Sequence, residues 1–172
     1  DIVIELDPGL AFGTGYHPTT RMCLEQIELH LVPKMRVLDL GTGSGILAIA
    51  AAKLGASSVF ALDIDETALR MTITNASYNG VDGIVKPRLG TLPHSEALQN
   101  SFDLAVANVT ANVVAGLAQS LAQVLKPCGV MIASGIITDR QAEAEEAISG
   151  PFLVIDRLYD GDWVTLVAEL QE

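Results

Sequence analysis

A glycine-rich turn at residues 41–45 has the residue types and spacing that could bind a small ligand. It follows an apolar, strand-like run that ends at Leu40 and precedes an alanine-rich run that begins at Ile46. Ligands of open α/β sheets bind at the carboxyl ends of strands, and Gly41 and Gly43 let the backbone approach a ligand without a Cβ clash. We therefore expect both glycines to contact a ligand, although the same turn also serves as a plain strand-to-helix connection.

The letters of this glycine turn leave two classes of ligand open. Gly43, Gly45 and Ala48 satisfy the dinucleotide pattern G-x-G-x-x-G/A. Asp39 instead gives the form D-x-G-x-G-x-G, which is seen in methyltransferases. Asp63 follows the first glycine of the turn by 22 residues and ends the next predicted strand, where a carboxylate accepts hydrogen bonds from ribose hydroxyls. Asp63 is therefore predicted to bind an adenosine, which both NAD and S-adenosylmethionine contain.

Asn108 ends a later strand-like run and is predicted to lie beside the reacting end of the pocket. Its carbonyl oxygen can hold an amine and orient the lone pair. An amine nucleophile must be neutral, and a free lysine has a pKa of about 10.4, so a dry pocket that aligns the amine does more than a strong base. The equally weighted alternative is that Asn108 caps the following helix.

A fourth segment, residues 7–20, contains three glycines and two prolines. This composition predicts a shaped loop over the pocket, followed by a helix that begins near Pro18 and runs to about Leu31. Thr20 would place its hydroxyl near the ligand, whereas His17 is expected to be structural. No other histidine stands at metal-ligand spacing, so no metal is expected; the alternative for the segment is a surface connection with a capped helix.

Strands and helices alternate along the rest of the chain. Strands are predicted at 36–40, 58–62, 84–89, 104–107, 130–134, 152–158 and 163–170, and helices at 46–54, 65–78, 112–125 and 139–148. Asp65 is expected to cap the second of these helices. Alternation predicts a mostly parallel sheet with helices on both faces, and the last two strands are too closely joined to be anything but an antiparallel hairpin. A doubly wound α/β sheet of seven strands with this hairpin is the layout of class I S-adenosylmethionine-dependent methyltransferases.

Composition excludes several classes of protein. The 172 residues predict one domain with its own core, and 49% hydrophobic residues exclude a disordered chain. Twenty-one acidic against 10 basic residues give a net charge of -11, which argues against a general nucleic-acid binder. The longest apolar run, residues 46–52, is too short to span a bilayer. Cys23 and Cys128 form no disulfide framework and are predicted to be buried thiols of a protein from a reducing compartment.

Four strings carry a resemblance that covers essentially the whole chain. They are residues 7–20, the glycine turn with the apolar run to Ala50, Asp63-Ile64-Asp65, and Asn108-Val109-Thr110-Ala111. Together they resemble the ribosomal protein L11 methyltransferase family.

The resemblance implies methyl transfer from S-adenosylmethionine to lysine side chains and the N-terminal amine of a basic, large-subunit ribosomal protein. It implies cofactor contacts at Thr20, Gly41, Asp63 and Asn108, with Phe12 and Thr14 close by. It also implies a cytoplasmic protein with no membrane and no direct nucleic-acid partner. Tyr16 departs from the family pattern at the substrate entrance.

We therefore predict a cofactor-binding catalytic domain over residues 1–172, with 1–34 as an N-terminal loop and helix region and with an upstream substrate-recognition domain absent. The predicted reaction is a direct in-line displacement in which Asn108 orients a neutral amine, without a metal or covalent enzyme intermediate. The alternatives are a methyltransferase of another protein or small amine, a nicotinamide-dependent dehydrogenase, and a cofactor-binding module without catalysis.

Overall fold

The structure is a computed structural model that describes residues 1–7 and 15–172. Helices and strands alternate along these residues: α1 (Pro18–His30), β1 (Arg36–Leu40), α2 (Ile46–Lys53), β2 (Ser58–Asp63), α3 (Glu66–Tyr78), β3 (Val85–Leu89), β4 (Phe102–Asn108), α4 (Ala111–Val124), β5 (Leu125–Ile137), α5 (Gln141–Ile148), β6 (Phe152–Asp160) and β7 (Trp163–Leu170). A short 3-10 turn, Thr138–Arg140, precedes α5. No helix in the described part of the chain is both long and apolar enough to cross a membrane.

One seven-stranded sheet organises the chain, in the order β3-β2-β1-β4-β5-β7-β6. Strands β1 to β5 pair in parallel, while β7 is antiparallel to both β5 and β6. The predicted doubly wound sheet with an antiparallel C-terminal hairpin is confirmed. The strand order reverses between β1 and β4, and the carboxyl ends of these two strands form the crevice where such sheets bind ligands.

Apolar layers cover both faces of the sheet. Side chains alternate between the faces along β1, so Val37 packs in the layer beneath α1 and α2 whereas Leu38 packs in the layer beneath α4 and α5. Helix α2 is apolar all round, and its residues 46–52 are all buried. Because Asp39 follows Val37 by two residues, its carboxyl points into the buried α1–α2 side of the sheet.

The structure moves several predicted boundaries. β5 begins at Leu125 and has 13 residues, where the sequence predicted a strand only at 130–134. β4 likewise begins at Phe102, two residues before the predicted start at Leu104. In both cases pairing with a neighbouring strand extends the element beyond its apolar run.

One cysteine prediction is wrong. Cys23 is fully buried, as expected, but Cys128 is exposed. Its φ of 64° is in the left-handed region, and it lies where the pairing of β5 with β4 is irregular, between Leu125 and Val130.

Candidate functional site

Two cavities lie at the carboxyl ends of β1, β2 and β4. The larger, of about 690 Å³, is lined by four of the predicted site residues, Thr20, Gly41, Gly43 and Asn108. The smaller, of about 510 Å³, is lined by the fifth, Asp63. Gly41 and Val109 contribute to the walls of both cavities. The fold therefore brings all five predicted residues to the same crevice, on either side of the Gly41–Val109 contact.

Gly41 occupies a position where any residue with a side chain would be strained. Its φ is 71°, in the left-handed region, and a Cβ built there would lie 2.9 Å from Cγ1 of Val109. Gly135, on the neighbouring strand β5, has a φ of 81°, and a Cβ there would collide with the backbone carbonyl of Val109. Val109 is thus held between two glycines, and the absence of side chains on both keeps the wall between the cavities thin.

Asp63 connects the end of β2 to the glycine turn. Its Oδ2 accepts a hydrogen bond from the Gly43 N–H at 3.0 Å, and its Oδ1 accepts one from the Asp65 N–H at 3.0 Å. Each carboxylate oxygen can accept more than one hydrogen bond, so Asp63 can also accept from a ligand. The predicted cap role of Asp65 is confirmed, because its Oδ1 accepts from the Thr67 N–H at 2.9 Å at the start of α3.

Asn108 contacts helix α1 at the wall of the larger cavity. Its Nδ2 donates to the Thr20 hydroxyl at 3.3 Å, although the two residues are 88 positions apart. The alternative that Asn108 caps the following helix is wrong. The N-cap of α4 is Thr110, whose hydroxyl accepts from the Val113 N–H at 3.4 Å. The amide of Asn108 is therefore available to the cavity, with its donor side on Thr20.

Buried hydrogen bonds fix the N-terminus of α1 on the sheet. Ser134 of β5 donates to the backbone carbonyl of Thr19 at 3.4 Å and shares a 2.6 Å hydrogen bond with the hydroxyl of Thr165 on β7. Ser134 and Thr165 are both 0% exposed, so these contacts are shielded from water and strengthened. They set the position of the next residue, Thr20, and through it the orientation of Asn108.

Sequence reasoning missed the aromatic wall of the larger cavity. His17 caps α1, because its ring accepts from the Thr19 N–H at 3.3 Å, so its predicted structural role is confirmed. The same ring packs edge-on against Trp163, with the centroids 5.0 Å apart and an interplanar angle of 70°. Both residues line the cavity. Trp163 is the chain's only tryptophan and directly follows the hairpin turn. This position in the sequence could have identified it as a candidate site residue.

Asp39 is a buried carboxyl beneath the glycine turn. It is 1% exposed and forms no ion pair with any described residue. Burial raises the pKa of Asp39 to about 7; the Thr42 hydroxyl and the Ala48 backbone N–H partly oppose this rise, and the negative charge of Asp63 adds to it. The carboxyl is therefore partly protonated near neutral pH. It does not line either cavity.

Two predicted contact residues, Phe12 and Thr14, lie outside the described residues. Across residues 1–7 and 15–172, no group of three or more His, Cys, Asp or Glu side chains could hold a metal ion.

Comparison with protein families gives one match over nearly the whole chain. The model of a family described as "Ribosomal protein L11 methyltransferase (PrmA)" matches residues 1–171. The ribosomal protein L11 methyltransferase of Listeria monocytogenes is 42% identical over 98% of this chain and 54% of the relative. The chain spans about half the length of the curated relatives it matches.

Solved structures give the same picture. A ribosomal protein L11 methylase from Lactobacillus delbrueckii subsp. bulgaricus superposes with a TM-score of 0.90 at 37% identity, covering 98% of this chain and 86% of that one. An RNA methyltransferase from Salinibacter ruber, in complex with S-adenosyl-L-homocysteine, superposes with a TM-score of 0.71 at 19% identity, covering 91% of this chain and 95% of that one. The second likeness shows the fold alone.

Proposed function

This chain belongs to the ribosomal protein L11 methyltransferase family, and from that premise we propose that it transfers methyl groups from S-adenosylmethionine to amines of a ribosomal protein. The predicted amines are lysine side chains and the N-terminal amine. Residues 1–172 are proposed to act as one cofactor-binding catalytic domain, with residues 1–34 as its N-terminal loop and helix region.

The glycine turn and Asp63 support the binding of S-adenosylmethionine. A side chain at Gly41 would fill the space beside Val109, so the turn leaves room for a ligand to approach the backbone. Asp63 places its carboxyl group in the lining of the smaller cavity, and such a group accepts hydrogen bonds from the two hydroxyls of a ribose. We assign Gly41, Gly43 and Asp63 to cofactor binding. We also assign to it Thr20 and Asn108, which line the larger cavity.

When bound, S-adenosylmethionine supplies an electrophilic methyl group on a sulfonium. The chain's own task is then to bring a neutral amine into line with that methyl group and to exclude water. The Oδ1 atom of Asn108 is the acceptor that we propose for the amine, because its Nδ2 is held by Thr20. An N–H of the amine donated to Oδ1 would direct the nitrogen lone pair away from Asn108 and towards the methyl group.

The aromatic wall supports an amine on an alkyl chain as the substrate. Trp163 and His17 present ring surface to the larger cavity. An aromatic face binds the stem of a lysine by apolar contact and attracts its ammonium, or a methylated ammonium, by a cation–π interaction. The net charge of -11 also favours a basic protein partner over nucleic acid, and we place the reaction in the cytoplasm, where ribosomal proteins are made.

The Asn108–Thr20 hydrogen bond, at the meeting point of the glycine turn and the aromatic wall, carries this proposal. The test has two arms. Calorimetry should find binding of S-adenosylhomocysteine and none of NAD, which separates the methyltransferase from the dehydrogenase alternative. Labelled methyl transfer should then go to ribosomal protein L11 and be lost when its amines are acetylated beforehand. Equal labelling of free small amines would instead favour a small-amine methyltransferase, and binding without any transfer would favour a non-catalytic module.

A further inference from the structure

We propose that Asn75 is a positioning residue for cofactor binding, because its side-chain amide joins the N-terminal segment to the glycine turn. The N-terminal segment is residues 1–7. When the segment docks on α3, it holds the glycine turn in the conformation that binds the ligand. The inference rests on the proposed function in one respect, namely that the ligand is S-adenosylmethionine.

The two ends of the Asn75 side-chain amide form hydrogen bonds with two separate parts of the backbone. The residue lies on α3 and is 2% exposed. Its Oδ1 accepts from the Asp7 N–H at 3.0 Å, and its Nδ2 donates to the Ser44 carbonyl at 2.8 Å. If either partner moved away, a buried polar group would lose its hydrogen bond, which is costly. The positions of the segment and of the turn are therefore linked through one side chain.

The neighbours of Asn75 on α3 extend this link in both directions. One turn of helix earlier, the Thr72 hydroxyl donates to the Gly43 carbonyl at 2.9 Å. One turn later, Asn79 accepts from the Glu5 N–H at 2.9 Å and donates to the Glu5 carbonyl at 2.7 Å. The three- and four-residue spacings place these side chains on one face of the helix. That face binds the glycine turn at one end and the N-terminal segment at the other, and Asn75 contacts both.

The segment is docked on two sides. Glu5 and Asp7 present their backbone N–H groups to α3 at alternate positions, as residues of a strand do. Ile4 and Leu6 pack against the apolar layer beneath α1 and α2. The Lys53 side chain at the end of α2 donates to the Val3 carbonyl. The segment thus lies along the body of the domain, within reach of α3 and α2.

The turn depends on α3 for its shape. Gly45 has a φ of 84°, and a Cβ there would lie 3.0 Å from Thr72 Cγ2, so the backbone of the turn lies directly on the helix. The carbonyls of Gly43 and Ser44 are bound to α3, while the N–H of Gly43, in the preceding peptide, donates to Asp63. Loss of the α3 contacts would free these peptide planes to rotate and would disorder the predicted ligand-binding side.

Three variants of the chain separate the two ends of this link. Asn75→Asp keeps an oxygen for the Asp7 N–H but places a carboxylate against the Ser44 carbonyl. Asn79→Ala, at a half-buried position, removes the clamp on Glu5 together with the hydrogen bond from Asn79 Nδ2 to the Asn75 backbone carbonyl at 2.7 Å. Ser77→Ala, on the exposed side of α3, is the matched control. The two readouts are hydrogen exchange of the backbone amides without ligand and the Kd of S-adenosylhomocysteine by calorimetry.

Asn75→Asp is expected to speed exchange at residues 43–45 and to weaken S-adenosylhomocysteine binding about tenfold. Asn79→Ala should speed exchange at residues 5–7 and, through Asn75, produce a smaller change of about threefold in exchange at the turn and in Kd. Ser77→Ala should change neither readout.

Two results would overturn the inference. One is faster exchange at residues 5–7 in Asn79→Ala with unchanged exchange at the turn, which would mean that the segment and the turn are uncoupled. The other is unchanged hydrogen exchange at residues 43–45 in the Asn75→Asp variant. If the unmodified chain binds no S-adenosylhomocysteine, the proposed function fails, yet the exchange measurements still decide the coupling. If Asn75→Asp does not fold, Asn79→Ala alone decides it.

Discussion

The Nδ2 atom of Asn108, at the end of β4, donates a hydrogen bond to the hydroxyl of Thr20, in the first turn of α1, over 3.3 Å. Both residues line the larger cavity together with the glycine turn. The bond uses one of the two N–H groups of the Asn108 amide, and in the proposed function the acceptor Oδ1 receives the amine. A positioned acceptor, with no strong base, is what the alignment of a neutral amine requires.

Replacement of Asn108 by Ala tests that role. The variant loses the acceptor that orients the amine, so kcat for methyl transfer is expected to fall about 100-fold, while the Kd of S-adenosylhomocysteine changes little. Asn112→Ala, on the exposed first turn of α4, is the matched control and should keep full activity. An unaltered kcat in Asn108→Ala would remove Asn108 from the reaction.

Asp63→Asn tests the ribose assignment. An amide offers one oxygen acceptor instead of two and carries no charge, so S-adenosylhomocysteine should bind about 10- to 100-fold more weakly. Asp65→Asn keeps a capping oxygen for the Thr67 N–H and should bind the ligand normally. Calorimetry on the two variants compares them directly, and equal affinities would contradict the assignment.

Gly41→Ala tests whether the turn needs a glycine. The left-handed φ of 71° strains any L-residue, and the new methyl group would press on Val109, so the free energy of unfolding should fall by about 1–3 kcal/mol. Adding Val109→Ala should relieve the clash but leave the backbone strain. Gly83→Ala, where no atom lies within 4 Å of the added Cβ, should cost little. Urea unfolding of the four proteins measures each effect, and a Gly41→Ala variant as stable as Gly83→Ala would refute it.

Asp39 predicts a pH dependence of stability. Its pKa is raised from an ordinary 3.8 to about 7 in the folded chain, so between these values the unfolded chain releases a proton that the folded chain keeps. The contribution of Asp39 to stability is fully present below the unfolded pKa and is lost as the pH rises towards 7. Asp39→Asn removes this loss. The stability of Asp39→Asn relative to the unmodified chain should therefore rise by about 2–3 kcal/mol from about pH 5 to about pH 8.

Denaturant unfolding at several pH values measures that slope, which is independent of any constant offset caused by the substitution. Parallel pH profiles for the two proteins would show that the pKa of Asp39 is not raised in the folded chain.

Some of the site was readable from the sequence because its signals are local. The glycine turn follows a buried strand within a few residues, and Asp63 and Asp65 stand at the junction of a strand and a helix, so composition and spacing were enough to predict their places. The antiparallel hairpin was equally readable, since two residues between β6 and β7 allow no crossover.

Other features depend on contacts between distant parts of the chain. The side chain of Asn108 bonds to a residue of α1, 88 positions away, and Thr110 caps α4 instead. The packing of His17 on Trp163 joins the two ends of the chain across the sheet. The early start of β5 is set by pairing with β4. None of these contacts is encoded in a local hydrophobic period.

The most direct test of the proposed function is the mass of ribosomal protein L11 after incubation with this chain and S-adenosylmethionine, followed by peptide mapping. The proposed function predicts stepwise addition of methyl groups at lysine side chains and the N-terminal amine, and almost none with the Asn108→Ala variant. Unmodified L11 in the presence of a chain that binds S-adenosylhomocysteine, or equal methylation by Asn108→Ala, would contradict it.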